Sequence, residues 1–339
     1  MTRDAQTAHA ALLSDPGLTS GNELRSSSAL PSGPALHSGP QPRKTRAARI
    51  PYYLLLPAVL IMVVGFGYPV VWQFVTSFQE FGLAQQFGQP PVFTGLRNYV
   101  GVFTEGRALA VLARSIIFCL VNSSLIMVLG FGIAQVMRAV YGPVRVVLQV
   151  SMVLAWATPV ITSVTIFRWL FDNRTGLVNW VLRQVGVSPP HGGAWLSSVG
   201  TFFVVATVVV TWMSVPFVAL SLYSALTQVD TDCVDAARID GAGSAQITRH
   251  IILPSIRPVL TIVVLLQLVW NLRVFAQIRL LQDAGAPVSQ TDLLGNFIFD
   301  LGMGRNDFGG SAAVSVLVLV VTTILTAPYV RRMMRDDAP

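Results

Sequence analysis

Two groups of residues in this sequence could do chemistry. The first lies in a polar stretch from Leu222 to Pro258, where Asp235-Ala236-Ala237 is followed by Gly241 and then by Ile251-Ile252-Leu253-Pro254. Two adjacent alanines let another surface come close to the backbone, and the carboxylate offers a charged partner to an arginine. Gly241 and Gly243 permit a sharp reversal of the chain. Val234 to Ile239 and Ser244 to Leu253 read as two short helices, the second stopped by Pro254. This is docking chemistry. The second group, Gln267, Asn271, Val274 and Ile278, shares one helical face with Trp270 at its edge. Amides beside an aromatic ring suit a solute rich in hydroxyls, whereas buried amides also link helices to one another in membranes.

Catalytic chemistry is not indicated. The histidines His9, His37, His191 and His250 are scattered without metal-ligand spacing. The two cysteines, Cys119 and Cys233, form neither a framework nor a CxxC pair. No convergent acid, base and nucleophile appear together, which argues against a membrane enzyme. A phosphate-cradling G-x-x-x-x-G-K-[ST] loop is absent, and Lys44 is the sole lysine. Any ATP hydrolysis is therefore expected from another chain, and no metal or cofactor from this one.

The elements that must position these residues are hydrophobic. The 339 residues are 53% hydrophobic and only 12% charged, about half the charge of an ordinary soluble domain. Such a chain belongs in a bilayer. The net charge of +7 does not point to nucleic acid, because most of the basic residues flank apolar segments. Residues 1–49, rich in Ser, Pro, Gly and Ala and ending in Arg43, Lys44, Arg46 and Arg49, read as a disordered basic tail. Residues 50–334 form the membrane domain. A crossing helix needs about 20 mainly apolar residues. Six segments qualify: 52–76, 113–137, 146–168, 199–226, 259–281 and 309–330. The fold class is thus all-α, with six transmembrane helices and the polar loop 227–257 between spans four and five. The first apolar segment is too long for a signal peptide and reads as an anchor.

Orientation follows the basic residues. With the N-terminus in the cytoplasm, the inner side carries Arg43, Lys44, Arg46, Arg49, Arg138, Arg145, Arg238, Arg249, Arg257, Arg331, Arg332 and Arg335. The outer side carries only Arg97, Arg107, Arg174, Arg183 and Arg305. Both termini are expected inside. Pro57, Pro69, Pro159 and Pro216 fall within spans and predict kinked helices. Arg114, Arg168 and Arg279 sit near span ends and snorkel outward. Arg273, further into span five, could reach the outer interface or line a cavity. No Asp or Glu lies mid-span, which argues against a self-sufficient secondary transporter with ion-coupling carboxylates.

The loop motif resembles the signature of the permease subunits of ATP-binding-cassette importers: EAA, three residues, Gly, nine residues, then I-x-L-P. Here Asp235 stands in place of Glu, and Asp230 near a position where many members carry Pro. The resemblance extends to Tyr52–Phe78, to Gly95-Leu96-Arg97-Asn98-Tyr99, and to Phe167-Arg168-Trp169-Leu170-Phe171 followed by Gly176-Leu177-Val178-Asn179. These fragments resemble the carbohydrate-uptake branch, specifically the larger permease of maltose and glycerol-phosphate systems. The resemblance implies a coupling helix that docks in a cleft of an ATPase subunit through Asp235, Ala236, Ala237, Gly241, Ile251, Leu253 and Pro254. It further implies a second permease, two nucleotide-binding subunits that hold ATP and Mg, and an extracytoplasmic sugar-binding protein, all at a bacterial cell membrane. Gln267, Trp270, Asn271, Val274, Met213, Ser214 and Phe217 are then the residues expected along the substrate cavity. A permease of the same superfamily for a non-sugar solute is the alternative.

Overall fold

The computed structural model describes residues 50–104 and 106–336, so the expected tail lies outside the described residues. The chain divides at Val59. Of the first unit only the opening turns of helix α1 are described, and the architecture below is that of the second.

The protein is an all-α, multi-spanning membrane protein. Helix α1 (Ile50–Met62) passes through a π-turn, Val63–Gly67, into α2 (Tyr68–Thr76). The π-turn immediately precedes Pro69, which has no N–H to continue the regular ladder. A two-residue ribbon follows, β1 (Gln79–Glu80) against β2 (Val92–Phe93), enclosing α3 (Leu83–Gln86). Helix α4 (Arg97–Thr104) leads to α5 (Arg107–Ala139), a rod of 33 residues. After α6 (Gly142–Ala157), α7 (Val160–Leu170) and α8 (Leu177–Gln184) comes α9 (Val199–Leu226). The polar loop contains α10 (Thr231–Ile239), α11 (Ser244–Ile247) and α12 (Leu253–Ser255). The last part comprises α13 (Arg257–Leu272), α14 (Ala276–Gln282), α15 (Val288–Thr291), α16 (Leu294–Phe299) and α17 (Phe308–Asp336).

Five stretches are long and apolar enough to cross a membrane: Leu55–Thr76, Arg107–Ala139, Val199–Leu226, Arg257–Gln282 and Phe308–Arg331. The third expected span is instead a bent pair, α6 and α7, turned by 99°. The cause is local. Thr158 precedes Pro159, whose ring excludes it from the helical region, and Thr158 adopts ψ 126°. Pro159, unlike Pro57 and Pro216, therefore breaks its helix. The pair still returns the chain across the bundle. Phe118 meets Phe203 at 5.8 Å, and a Cβ on Gly130 would come within 2.5 Å of Val218. Helices α5 and α9 thus run parallel, which requires one crossing between them.

That helix pair forms the core. Gly130 and Ala134, four residues apart on α5, let α9 approach closely, a small-residue seam typical of membrane helices. Ile126, Val205, Val209, Val218 and Leu222 are fully buried around it. A second cluster gathers Val111, Cys119, Leu268, Leu272, Phe297 and Val314 where α5, α13, α16 and α17 meet.

Span five departs from the continuous helix expected over 259–281. It unwinds at Arg273–Phe275, between α13 and α14. No proline or glycine marks the place. A Cβ on Gly295 would lie 3.1 Å from the Val274 carbonyl, and Asn296 donates to the Phe275 carbonyl at 3.4 Å. The close approach of α16 accommodates the break and serves one freed backbone group. Arg107, expected in an outer loop, is the first residue of α5.

Candidate functional site

The loop between α9 and α13 is a folded hairpin of short helices. Asp230 caps α10, its carboxylate accepting from the Asp232 N–H at 2.9 Å. This explains how an aspartate serves at that position. Gly241 ends the helix at φ +83°, with Gly241 N–H donating to Arg238 O and Ala242 N–H to Ala237 O at 3.1 and 2.9 Å. This is the left-handed helix end that glycine adopts without strain. Helix α11 continues through a π-turn, Thr248–Ile252, into α12. Pro254, expected to stop the second helix, instead lies inside α12; the π-turn just before it accommodates its missing N–H.

One face of this hairpin is anchored and the other is open. Val234, Ile247, Ile252 and Ile256 are buried in the cluster that contains Leu222 and Leu226 of α9. Ala237, Ile251 and Leu253 are half-buried, while Asp235, Ala236, Gly241 and Pro254 are exposed. Ile239 at the turn is 86% exposed, an unusual position for so apolar a side chain. A hollow of about 490 Å³ lies between the two arms, bounded by Ala237, Gly241, Gln246 and Ile251. Asp235 pairs with Arg238 of its own helix at 2.9 Å, with both side chains largely in solvent. Such a pair is weak and easily exchanged for another partner. Asp230 beside Cys233 raises that thiol above its ordinary pKa by repelling the thiolate.

The residues expected along a substrate path separate into two sets. Gln267 is fully buried and Asn271 nearly so. The Asn271 amide donates to the Gln267 backbone carbonyl at 2.9 Å and to Ser123 Oγ of α5 at 3.1 Å, so in this conformation Asn271 links α13 to α5, while the buried Gln267 Nε2 has no partner among the described residues. Val274 is buried at the break. Trp270 is 44% exposed and lies 5.1 Å from Phe217, which lies 6.0 Å from Trp156 of α6. Three helices thus contribute to one open aromatic row, with Met213 and Ser214 half-buried on the same stretch of α9. Trp156 had no place among the expected residues. Its helix reads as uniformly apolar, and only the turn at Pro159 fixes where it sits.

The other sequence fragments fasten loops. The Asn98 amide donates to Ser77 O and Gln79 O at 2.9 and 2.8 Å, and Tyr99 Oη to Ser77 Oγ at 2.8 Å. A Cβ on Gly309 would strike Gln79 O at 2.4 Å, so α17 starts against this knot. Beyond α7, Asp172 accepts from the N–H groups of Arg174 and Thr175, which hold its carboxyl below the usual range. Buried Asn179 donates to Asp172 O at 2.9 Å and accepts from Trp195 Nε1 at 2.7 Å.

Sequence reasoning missed a buried polar network at the start of α5. Asp292, 1% exposed, is bound by Arg107 and accepts from Gln282 Nε2 at 2.9 Å. Arg107 also pairs with Asp300 at 3.2 Å, and Arg114 donates to the Asp292 carbonyl at 2.9 Å. Ser115 Oγ accepts from Leu294 N–H at 2.8 Å. Among the described residues no group of His, Cys, Asp or Glu could hold a metal ion.

Residues 126–331 match the family described as binding-protein-dependent transport system inner membrane component. The chain is 37% identical over 290 residues to the diacetylchitobiose uptake system permease protein DasB of Streptomyces coelicolor, covering 86% of this chain and 88% of that one. It is 30% identical over 297 residues to the trehalose/maltose transport system permease protein MalF of Thermococcus litoralis, covering 86% and 97%. In fold it is similar to a chain of a bacterial ABC transporter that imports the acidic polysaccharide alginate, with a TM-score of 0.69 and 19% identity over 86% of this chain and 97% of that one.

Proposed function

Because the chain belongs to the family of binding-protein-dependent transport system inner membrane components, we propose that it forms half of the translocation path of an ATP-driven saccharide importer. It is a permease, and ATP hydrolysis is the work of a separate subunit. The assembly we infer adds a second permease, two nucleotide-binding subunits that hold ATP and Mg, and an extracytoplasmic binding protein. Both termini of this chain face the cytoplasm, which puts the α10–α12 hairpin on the ATPase side.

The hairpin is the coupling element. Its buried side moves with α9 and α13, and its open side offers Asp235, Ala236 and the glycine turn to the ATPase. Closure of the ATPases on ATP pushes the hairpin, and the helices carry that motion to the cavity, which alternates between inward and outward access. The binding protein releases its saccharide into the outward-open cavity.

The open aromatic row Trp156–Phe217–Trp270 carries the saccharide reading. Sugar rings expose apolar C–H faces that stack on aromatic rings, and the row stands half-open where three spans meet. Asn271 supplies a hydrogen bond to the sugar only if its Ser123 bond opens during the cycle, and the buried, unpartnered Gln267 Nε2 does so only if that opening exposes it. The names of the saccharide permeases at 30–37% identity support the same class. Transport in proteoliposomes of the complete complex tests it. Trp270→Ala should raise the saccharide concentration needed for half-maximal uptake several-fold, with basal ATP hydrolysis and binding-protein docking intact. Unchanged uptake in Trp270→Ala and Asn271→Leu together would move the site elsewhere. Orientation is tested with single cysteines at Ser289 and Gly142, both exposed, in a chain lacking Cys119 and Cys233. Labelling of the Gly142 position from outside intact cells would overturn it.

A further inference from the structure

Arg273 stands at the end of α13, where span five unwinds. It is exposed, and its guanidinium meets no acceptor among the described residues. Arg279, two turns on, behaves differently: it pairs with Asp283 at 3.4 Å and covers the Phe299 ring at 5.3 Å. Beside Arg273 opens a cleft of about 490 Å³ between α2, α13 and α17, walled by Val70, Phe74, Leu272, Val316 and Leu319. A guanidinium over an apolar cleft within a spanning segment is costly unless an anion meets it.

The depth of the residue indicates which anion. Arg273 lies sixteen residues beyond Arg257, about 24 Å along the helix axis, in a hydrocarbon layer about 30 Å thick. A flexible side chain covers the remaining distance by snorkelling. The charge therefore reaches the headgroup level of the outer leaflet while the apolar cleft runs below it. We propose that Arg273 and this cleft bind a phospholipid of the outer leaflet, its phosphodiester on the guanidinium and one acyl chain along Val70, Phe74 and Leu319. Headgroups with a net negative charge bind best, because the lone Arg273 charge at the cleft is then neutralised with no competing cation on the lipid. The site rests on the bilayer placement proposed above, which the cysteine labelling tests separately. An occupant in this cleft touches α2, the broken span and α17 together.

The test uses the complete transporter reconstituted with phosphatidylglycerol. Native mass spectrometry should find a phospholipid retained by the wild-type complex and retention at least ten-fold weaker in Arg273→Gln. Millimolar inorganic phosphate should not displace the lipid; displacement would assign the site to a free anion and overturn the proposal. Photoactivatable phosphatidylglycerol should label peptides containing Val70–Phe74 and Ser315–Thr322 in the wild type, a readout that needs no variant to assemble. Equal retention by Arg273→Gln, or labels confined to other surfaces, would overturn the proposal. So would a cross-link from position 273 to a carboxylate of the second permease.

Discussion

The α10–α12 hairpin and the start of α5 both concentrate charge, and they use it in opposite ways. At the hairpin the ion pair is local, three residues apart and solvated. At the start of α5, Arg107 reaches Asp292, 185 residues away, and that carboxylate is shut from water. An exposed pair is worth little and can be traded for a partner's charge. A buried one cannot lose a member without stranding the other. The hairpin is thus built to exchange contacts, and the network behind α15 and α16 is built to hold them.

Removing a charge at each end is the sharpest way to break this contrast. Asp292→Leu leaves Arg107 with Asp300 alone and the Gln282 amide with Thr291 alone, and should cost about 3 kcal/mol, seen as a lower melting temperature of the assembled complex. If that variant melts with the wild type, the network is no clamp. Next in size is Gly241→Val, which forces a β-branched residue to φ +83° and should cost on the order of 1–3 kcal/mol within the hairpin. Its larger expression is functional: stimulated ATP hydrolysis should collapse while the spans stay folded. Asp235→Lys should leave the melting temperature nearly unchanged, within about 0.5 kcal/mol, and still depress transport. Normal transport in both hairpin variants would remove this loop as the coupling element. The smallest effect concerns Cys233. With its thiol pKa raised by Asp230, less thiolate is present at neutral pH and maleimide should react more slowly than with an ordinary exposed thiol. The deficit should disappear above the raised pKa, and Asp230→Asn should remove most of it, leaving the smaller contribution of Asp232. Equal rates with and without Asp230 would contradict this.

Much of this architecture is legible in the sequence, because apolar length is a strong signal and a bilayer imposes it. Span four is a case in point, expected at 199–226 and found as Val199–Leu226. The hairpin could be read because Gly241 is forced by backbone geometry, at φ +83°, whereas the cap that Asp230 makes shows only in the fold. The break at Arg273–Phe275 was hidden, since the residue that accommodates it, Gly295, lies twenty residues on and is meaningful only once α16 packs there. Asp292 carries no signal in the sequence for the same reason, since its partners Arg107 and Gln282 meet it only in the fold. Helical spacing placed Gln267, Asn271 and Trp270 together, but spacing alone could not say that Asn271 turns to Ser123 while the Trp270 ring stays open.

The seam at Gly130 makes α5 a lever with unequal arms. At Gly130, nine residues from the end of the helix at Ala139 and twenty-three from its start at Arg107, α9 presses so close that a Cβ would strike Val218. At 1.5 Å per residue the arms are about 14 and 35 Å. A rod pivoting at that fulcrum enlarges a displacement of its short end about two and a half times at its long end. A nudge of about 2 Å at Ala139 would swing Arg107 by about 5 Å, enough to carry the whole Asp292 network with it.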